Sequence, residues 1–167
     1  MSIESEAVNI LQEAFSGNMR PKIFNKYIDG DEEFLEHDRT LQNRTPENIT
    51  RDDLGSVGWN PISTMTIDAW RYWLPSLGKI AVSLDEGDRG LFLFDLIIYL
   101  ENPEKNDELI KLNKKERLAI LCFLERIIPM VKEKMEPDVM VEFELLPLIE
   151  QWKSFSNFDQ SADSRAK

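Results

Sequence analysis

TIDAWRYWLPSLGKIAVSL, Thr66 to Leu84, decides the fold. Its apolar residues Ile67, Trp70, Leu74, Leu77, Ala81 and Leu84 recur at steps of three and four, the spacing of one face of an α-helix. Tyr72, Trp73 and Ile80 widen the stripe, and a helix that is apolar over most of its circumference belongs at the centre of a fold. Thr66 stands where an N-cap is needed. Pro75 lacks an amide hydrogen and its ring crowds the carbonyl of Arg71, so a kink or short break is expected there. The expected architecture is all-α: a single compact domain of about six helices around the central helix Thr66 to Leu84.

Outward from that helix, the same periodicity marks Ser5 to Phe15, stopped by Gly17 and Asn18. DGDEEFLEHDRTLQNR, from Asp29, opens a second helix with acids in its first turn, and Phe34 and Leu41 share a face of it. Thr50 and RDDLG read as one capped turn. Leu91 to Leu100, LFLFDLIIYL, is an apolar run that could be strand or helix; its helical neighbours favour helix. Asn113 and Glu116 form a capping box ahead of a stripe of Leu118, Leu121, Cys122, Leu124, Ile128, Val131 and Met135. Asp138 starts a last helix with Val139, Phe143, Leu146, Ile149 and Trp152 facing inward and Pro147 interrupting. The domain is expected to span residues 1–155, with a polar, disordered tail over 156–167.

The 167 residues carry a formal charge of −11, with 42% hydrophobic and 31% charged residues. An acidic surface repels DNA, RNA and anionic lipid, so no nucleic-acid or membrane partner is expected, and a basic protein partner is. The single cysteine, Cys122, cannot form an internal disulfide and is expected to be a buried thiol. The N-terminal segment lacks the basic and apolar regions of a signal peptide, and Leu91 to Leu100 is too short to span a bilayer, so a cytoplasmic setting is expected. Walker, GxGxxG, GxSxG, HExxH and CxxC motifs are absent from the sequence, and His37 is its one histidine, so no catalytic residue, cofactor or metal is expected.

Three groups of residues could carry function. The acid run DGDEEFLEHD supplies Asp29, Asp31, Glu32, Glu33, Glu36 and Asp38. It fails as an EF-hand loop, lacking glycine at the sixth position and an acid at the twelfth. It is either a solvated face or a docking surface for a basic partner. His37 and Glu33, one turn apart, are too few for a zinc site and point to a histidine at the edge of the Phe34/Leu41 face. The aromatic cluster is chiefly core, since successive helical residues point about 100° apart. Trp59, Arg71, Trp73, Asp95 and Tyr99 are nonetheless candidates for a ligand pocket, and if one residue of the cluster is exposed for function it is Trp73. Asp95 interrupts an apolar run and needs a partner. Arg71 is the expected one, and Asp95 with Tyr99 would otherwise be the carboxylate and phenol of an enzyme site.

TIDAWRYWLP, Thr66 to Pro75, resembles the motif T-x-x-A-[FW]-x-Y-x-L-P of a family of small helical bacterial proteins. YLENP, Tyr99 to Pro103, LNKKERLAILCFLERI, from Leu112, and LQEAF, Leu11 to Phe15, are similar to its further segments. The resemblance spans Ile10 to Ile128, with Ile67 where proline is common. It implies a compact helical fold and a bacterial setting, and it carries no activity or catalytic residue with it. The expected function is therefore a non-enzymatic acidic protein that binds a basic protein, in the manner of an immunity protein or an inhibitor. The alternatives are a small-molecule-binding module near Trp59, Arg71 and Trp73, and a carboxylate-based enzyme using Asp95.

Overall fold

Thr66 Oγ1 accepts a hydrogen bond from Ala69 N at 3.2 Å, and the helix that follows this cap runs Ile67–Ser83. In the computed structural model, which describes residues 2–29, 31–55, 60–83, 91–134 and 140–157, six α-helices are found. They are α1 Ile3–Phe15, α2 Glu32–Gln42, α3 Ile67–Ser83, α4 Phe92–Leu100, α5 Lys114–Lys134 and α6 Leu146–Asn157. Among the described residues the β structure is an isolated antiparallel bridge between Asn25 and Met65. The fold is all-α.

Local chemistry sets the helix ends. Ser2 Oγ accepts from Ser5 N at 3.3 Å, so α1 starts at Ile3 rather than at Ser5. Gly17, at φ +87°, ends that segment in a backbone conformation other residues rarely adopt. The Asn113–Glu116 capping box is closed in both directions: Glu116 N donates to Asn113 Oδ1 at 3.0 Å, and Asn113 N donates to Glu116 Oε2 at 2.8 Å. A second cap on α3 has no local sequence signal. The buried Glu108, from the 3₁₀ turn region at Leu109–Lys111, accepts from Ile67 N at 2.7 Å and puts a negative charge at the positive end of α3.

α3 passes through Pro75 without a break. One lost backbone bond is worth about 1 kcal/mol, and the burial of Trp73, Leu74, Leu77 and their neighbours on both sides of the proline outweighs it. Trp70 and Trp73 are core residues, at 3% and 0% exposure. The Trp73 ring packs against Phe24 at 5.8 Å and edge-on against Tyr72 at 5.0 Å between centroids. The tryptophans are core as expected, and Trp73 is not the exposed exception: its direction on the helix meets the extended segment around Phe24.

α1 lies against both α3 and α5, α4 packs on α3, and α6 packs on α5. The helices α1, α3 and α5 meet at Gly78. A Cβ there would stand 2.5 Å from Leu11 Cδ1 and 3.3 Å from Phe123 Cε2, so any larger residue would force these packed side chains to shift.

Two expected stripes are rotated. In α5, Ile120, Phe123, Leu124, Ile127, Met130 and Val131 are buried, while Leu118 and Cys122 are exposed. Helix α5 is covered from two sides, by α1 and α6, and its apolar residues run almost all round, which hides the phase. Before α6, Met140–Leu145 forms a π-helical segment, so its i→i+5 bonds shift the phase of the residues ahead of the α-helix. Val141, Leu145, Leu148, Ile149, Trp152 and Phe155 are buried, while Phe143 is 70% and Leu146 43% exposed. Pro147 sits in the first turn of α6, where a missing N–H costs little. The helix runs on to Asn157 with Ser156 buried, past the expected start of the tail. Asp138, Val139, Met135, Leu84 and residues 158–167 lie outside the described residues.

Candidate functional site

The extended segment Arg20–Tyr27 is laid along α2 in the opposite direction to it. Arg20 donates to the carbonyls of Leu41, Gln42 and Arg44, at 3.3 Å to Leu41 and 2.8 Å to Arg44, and so closes the C-terminal end of the helix with a cation. Gln42 Nε2 donates to Lys22 O at 2.7 Å. Asp38 Oδ1 accepts from Phe24 N at 2.7 Å and from Asn25 N at 3.1 Å. Tyr27 then packs on Phe34 at 5.5 Å between ring centroids. The contacts step back along α2 from its last turn to its first as the segment advances.

This layer sorts the expected acids. Asp38 is fixed to the backbone of the neighbouring segment and serves structure. Asp31 is the N-cap of α2, its Oδ1 accepting from Glu33 N at 3.1 Å. Glu33 lies 3.4 Å from Nε2 of the buried His37. Asp29, Glu32 and Glu36 are exposed. Glu32 and Glu36 are one turn apart, and Leu35, 37% exposed, lies between them on the same outer face. Tyr27 and Ile23 of the extended segment are 54% and 46% exposed, and Met19 before it is 87% exposed. Tyr27 packs on Phe34, which leaves α2 on the side away from Glu32 and Glu36. Sequence reasoning found the acids and missed these apolar side chains, because an extended segment without alternation gives no signal for which residues point out. Among the described residues no three potential ligands cluster around a metal position.

The expected Arg71–Asp95 pair does not form. Arg71 Nε donates to Glu116 Oε1 at 2.8 Å and Nη2 to Glu116 Oε2 at 3.1 Å, with a further bond to Lys111 O at 3.1 Å. Asp95 instead takes Arg51, Nη2 to Oδ2 at 2.9 Å, and Arg51 Nη1 donates to Gly55 O at 2.8 Å. The Arg51 guanidinium also stands 5.3 Å over the Phe92 ring. Position on the helix explains the exchange: Arg71 leaves α3 on the side of the Asn113–Glu116 cap, while α4 turns Asp95 towards the turn Asp52–Leu54.

No protein-family model, curated protein or solved structure matches this chain.

The site's chemistry therefore rests on its own geometry. Burial raises the Asp95 carboxyl above its ordinary range despite the opposing charge of Arg51. Tyr99, one turn on, is pushed up to about 12 by burial and by the charge of Asp95. Asn60 Nδ2 donates to the Tyr99 hydroxyl, and Asn60 Oδ1 accepts from Ile62 N at 2.9 Å and Ser63 N at 3.2 Å. Asp95 is thus held by Arg51, and Tyr99 by Asn60, which also orders the Asn60–Ser63 turn. The five residues of the expected ligand pocket are dispersed: Trp73 is in the core, Arg71 belongs to the α5 cap, Asp95 and Tyr99 belong to the Arg51 cluster, and Trp59 lies outside the described residues. Among the described residues no helix is long and apolar enough to cross a membrane.

Proposed function

We propose that this protein is a non-enzymatic interaction protein whose α2 layer docks a basic protein partner. The observation that carries the reading is on the outer face of that layer: Leu35, left 37% exposed, stands beside the exposed Glu32 and Glu36. Carboxylates alone would serve solubility equally well. An apolar side chain left in water beside them supplies contact that a docking surface needs, and the surrounding charges supply orientation and association rate. The formal charge of −11 extends the attraction beyond the contact itself. Such a surface suits an immunity-like or inhibitor-like role, in which a small acidic protein covers a basic one.

The test is capture from native lysate of the source cell on the immobilised full chain. A basic protein is retained at about 0.05 M salt and released at about 0.5 M, where the screening length falls to a few ångströms. Retention of no basic protein at low salt would count against the reading.

A further inference from the structure

On the far end of the chain from α2 in sequence, a cleft of about 660 Å³ opens between α6 and the 3₁₀ turns Pro103–Lys105 and Leu109–Lys111. Its volume is typical of small-ligand sites, which run roughly 300–1,000 Å³. Ile110, Pro147 and Phe155 give it an apolar lining, and Glu104 and Glu150 stand on it from the turn and the helix. Among its described lining residues the ionisable side chains are these two carboxylates.

The Phe155 wall is rigidly backed. Trp152, fully buried, meets the Phe155 ring edge-on at 5.5 Å, and its Nε1 donates to Leu100 O at 2.9 Å. The Arg117 guanidinium stacks 4.8 Å from the same ring and donates from Nη1 to Phe155 O at 2.8 Å. The floor is therefore formed before any ligand arrives. Hydrocarbon gains from leaving water for such a wall, and a cation gains from the two carboxylates, of which Glu150 is shared with Lys153 at 2.8 Å.

We propose that this cleft binds a small organic ammonium compound, its hydrocarbon body on Ile110, Pro147 and Phe155 and its charged nitrogen towards Glu104 and Glu150. The inference is independent of the α2 surface, which shares no residue with the cleft.

The test uses hexylammonium, hexanol and hexanoate as probes of one length and three charges, each titrated into the full chain and followed by the indole N–H resonance of Trp152. Hexylammonium shifts that resonance saturably, with hexanol weaker and hexanoate weakest. The double variant Glu104→Gln/Glu150→Gln, altered at exposed positions, brings hexylammonium down to the level of hexanol, a loss of about two- to fivefold per carboxylate as expected for exposed charge pairs. Ile110→Ser weakens hexylammonium and hexanol together. Absence of a saturable shift, equal affinity for hexanol and hexylammonium, or an amine preference that survives both glutamine substitutions would each overturn the proposal.

Discussion

Glu116 holds Arg71 and the start of its own helix with one carboxylate: Oε1 takes Arg71 Nε at 2.8 Å while Oε2 takes Asn113 N at 2.8 Å. The group is buried at 5% exposure, and its removal takes the cap acceptor from Asn113 N and the bidentate partner from Arg71, which keeps Lys111 O and lies 3.5 Å from the exposed Asp68. Asn113→Ala removes only the cap side chain and is expected to cost about 1 kcal/mol. Glu116→Ala is expected to cost about 2–4 kcal/mol, because Arg71 also exchanges a buried bidentate carboxylate for the exposed Asp68 alone. Urea denaturation of both variants checks the order. Equal losses would show that Arg71 finds another partner.

Gly78 gives a second prediction. Alanine is the better helix former by about 1 kcal/mol, yet its Cβ would lie 2.5 Å from Leu11 Cδ1, and Leu11 is itself buried at 1% exposure. Gly78→Ala is therefore expected to lower stability by about 1–3 kcal/mol, the usual cost of overpacking. In the background of Leu11→Ala the same change becomes neutral or stabilising. A denaturation-based double-mutant cycle reads this directly.

Asp95 predicts a pH dependence of definite sign. Its ordinary value of 3.8 is raised in the folded chain by burial, with Arg51 opposing. A raised carboxyl binds its proton more tightly in the native state, so its contribution to stability is present below the ordinary value and is lost as pH rises through the folded value. Asp95→Asn cannot titrate. The stability advantage of the natural protein over this variant should shrink as pH rises through the ordinary carboxyl value of 3.8 and above it. An advantage that grows with pH would mean that Arg51 stabilises the charged form more than burial penalises it.

Trp73 and Trp152 are both fully buried but differ in their indole nitrogens. Trp152 donates to Leu100 O at 2.9 Å, whereas Trp73 Nε1 meets no acceptor among the described residues. Replacement by phenylalanine removes similar volume at each position. Trp152→Phe also strands a carbonyl, while Trp73→Phe removes an unsatisfied donor, so Trp152→Phe is expected to be the more destabilising by about 1–2 kcal/mol. Thermal unfolding of the two variants decides it.

The helices that could be read from the chain are those whose signals are local. Thr66, Asn113 with Glu116, and the three-and-four spacing of Ile67 to Ala81 act within a turn or two, and each formed as read. Features that depend on which remote element arrives could not be read this way. Arg71 chose Glu116, forty-five residues on in sequence, over Asp95, which is nearer in sequence, because helix directions and not sequence order set which carboxylate it meets. Glu108 capping Ile67 is of the same kind. The phase of α5 was hidden by apolar residues on nearly every side, and the phase before α6 by a π-helical segment that no short pattern announces. For the candidate site, charge was legible and exposure was not: the acids of α2 stand out in the sequence, but Asp38 turned inward to Phe24 and Asn25, and Tyr27 and Leu35 turned outward.

The most direct test of the docking surface compares two baits of identical net charge. Glu32→Lys/Glu36→Lys reverses charge on the α2 face, and Glu133→Lys/Glu142→Lys, the α6 variant, reverses it at exposed positions ahead of α6 and outside the cleft. Each is immobilised and exposed to the same native lysate at low salt. The account predicts that the basic protein retained by the natural chain is kept by the α6 variant and lost at least tenfold from the α2 variant. Equal loss from both would reduce the attraction to bulk charge, and undiminished capture by the α2 variant would contradict the assignment of that face.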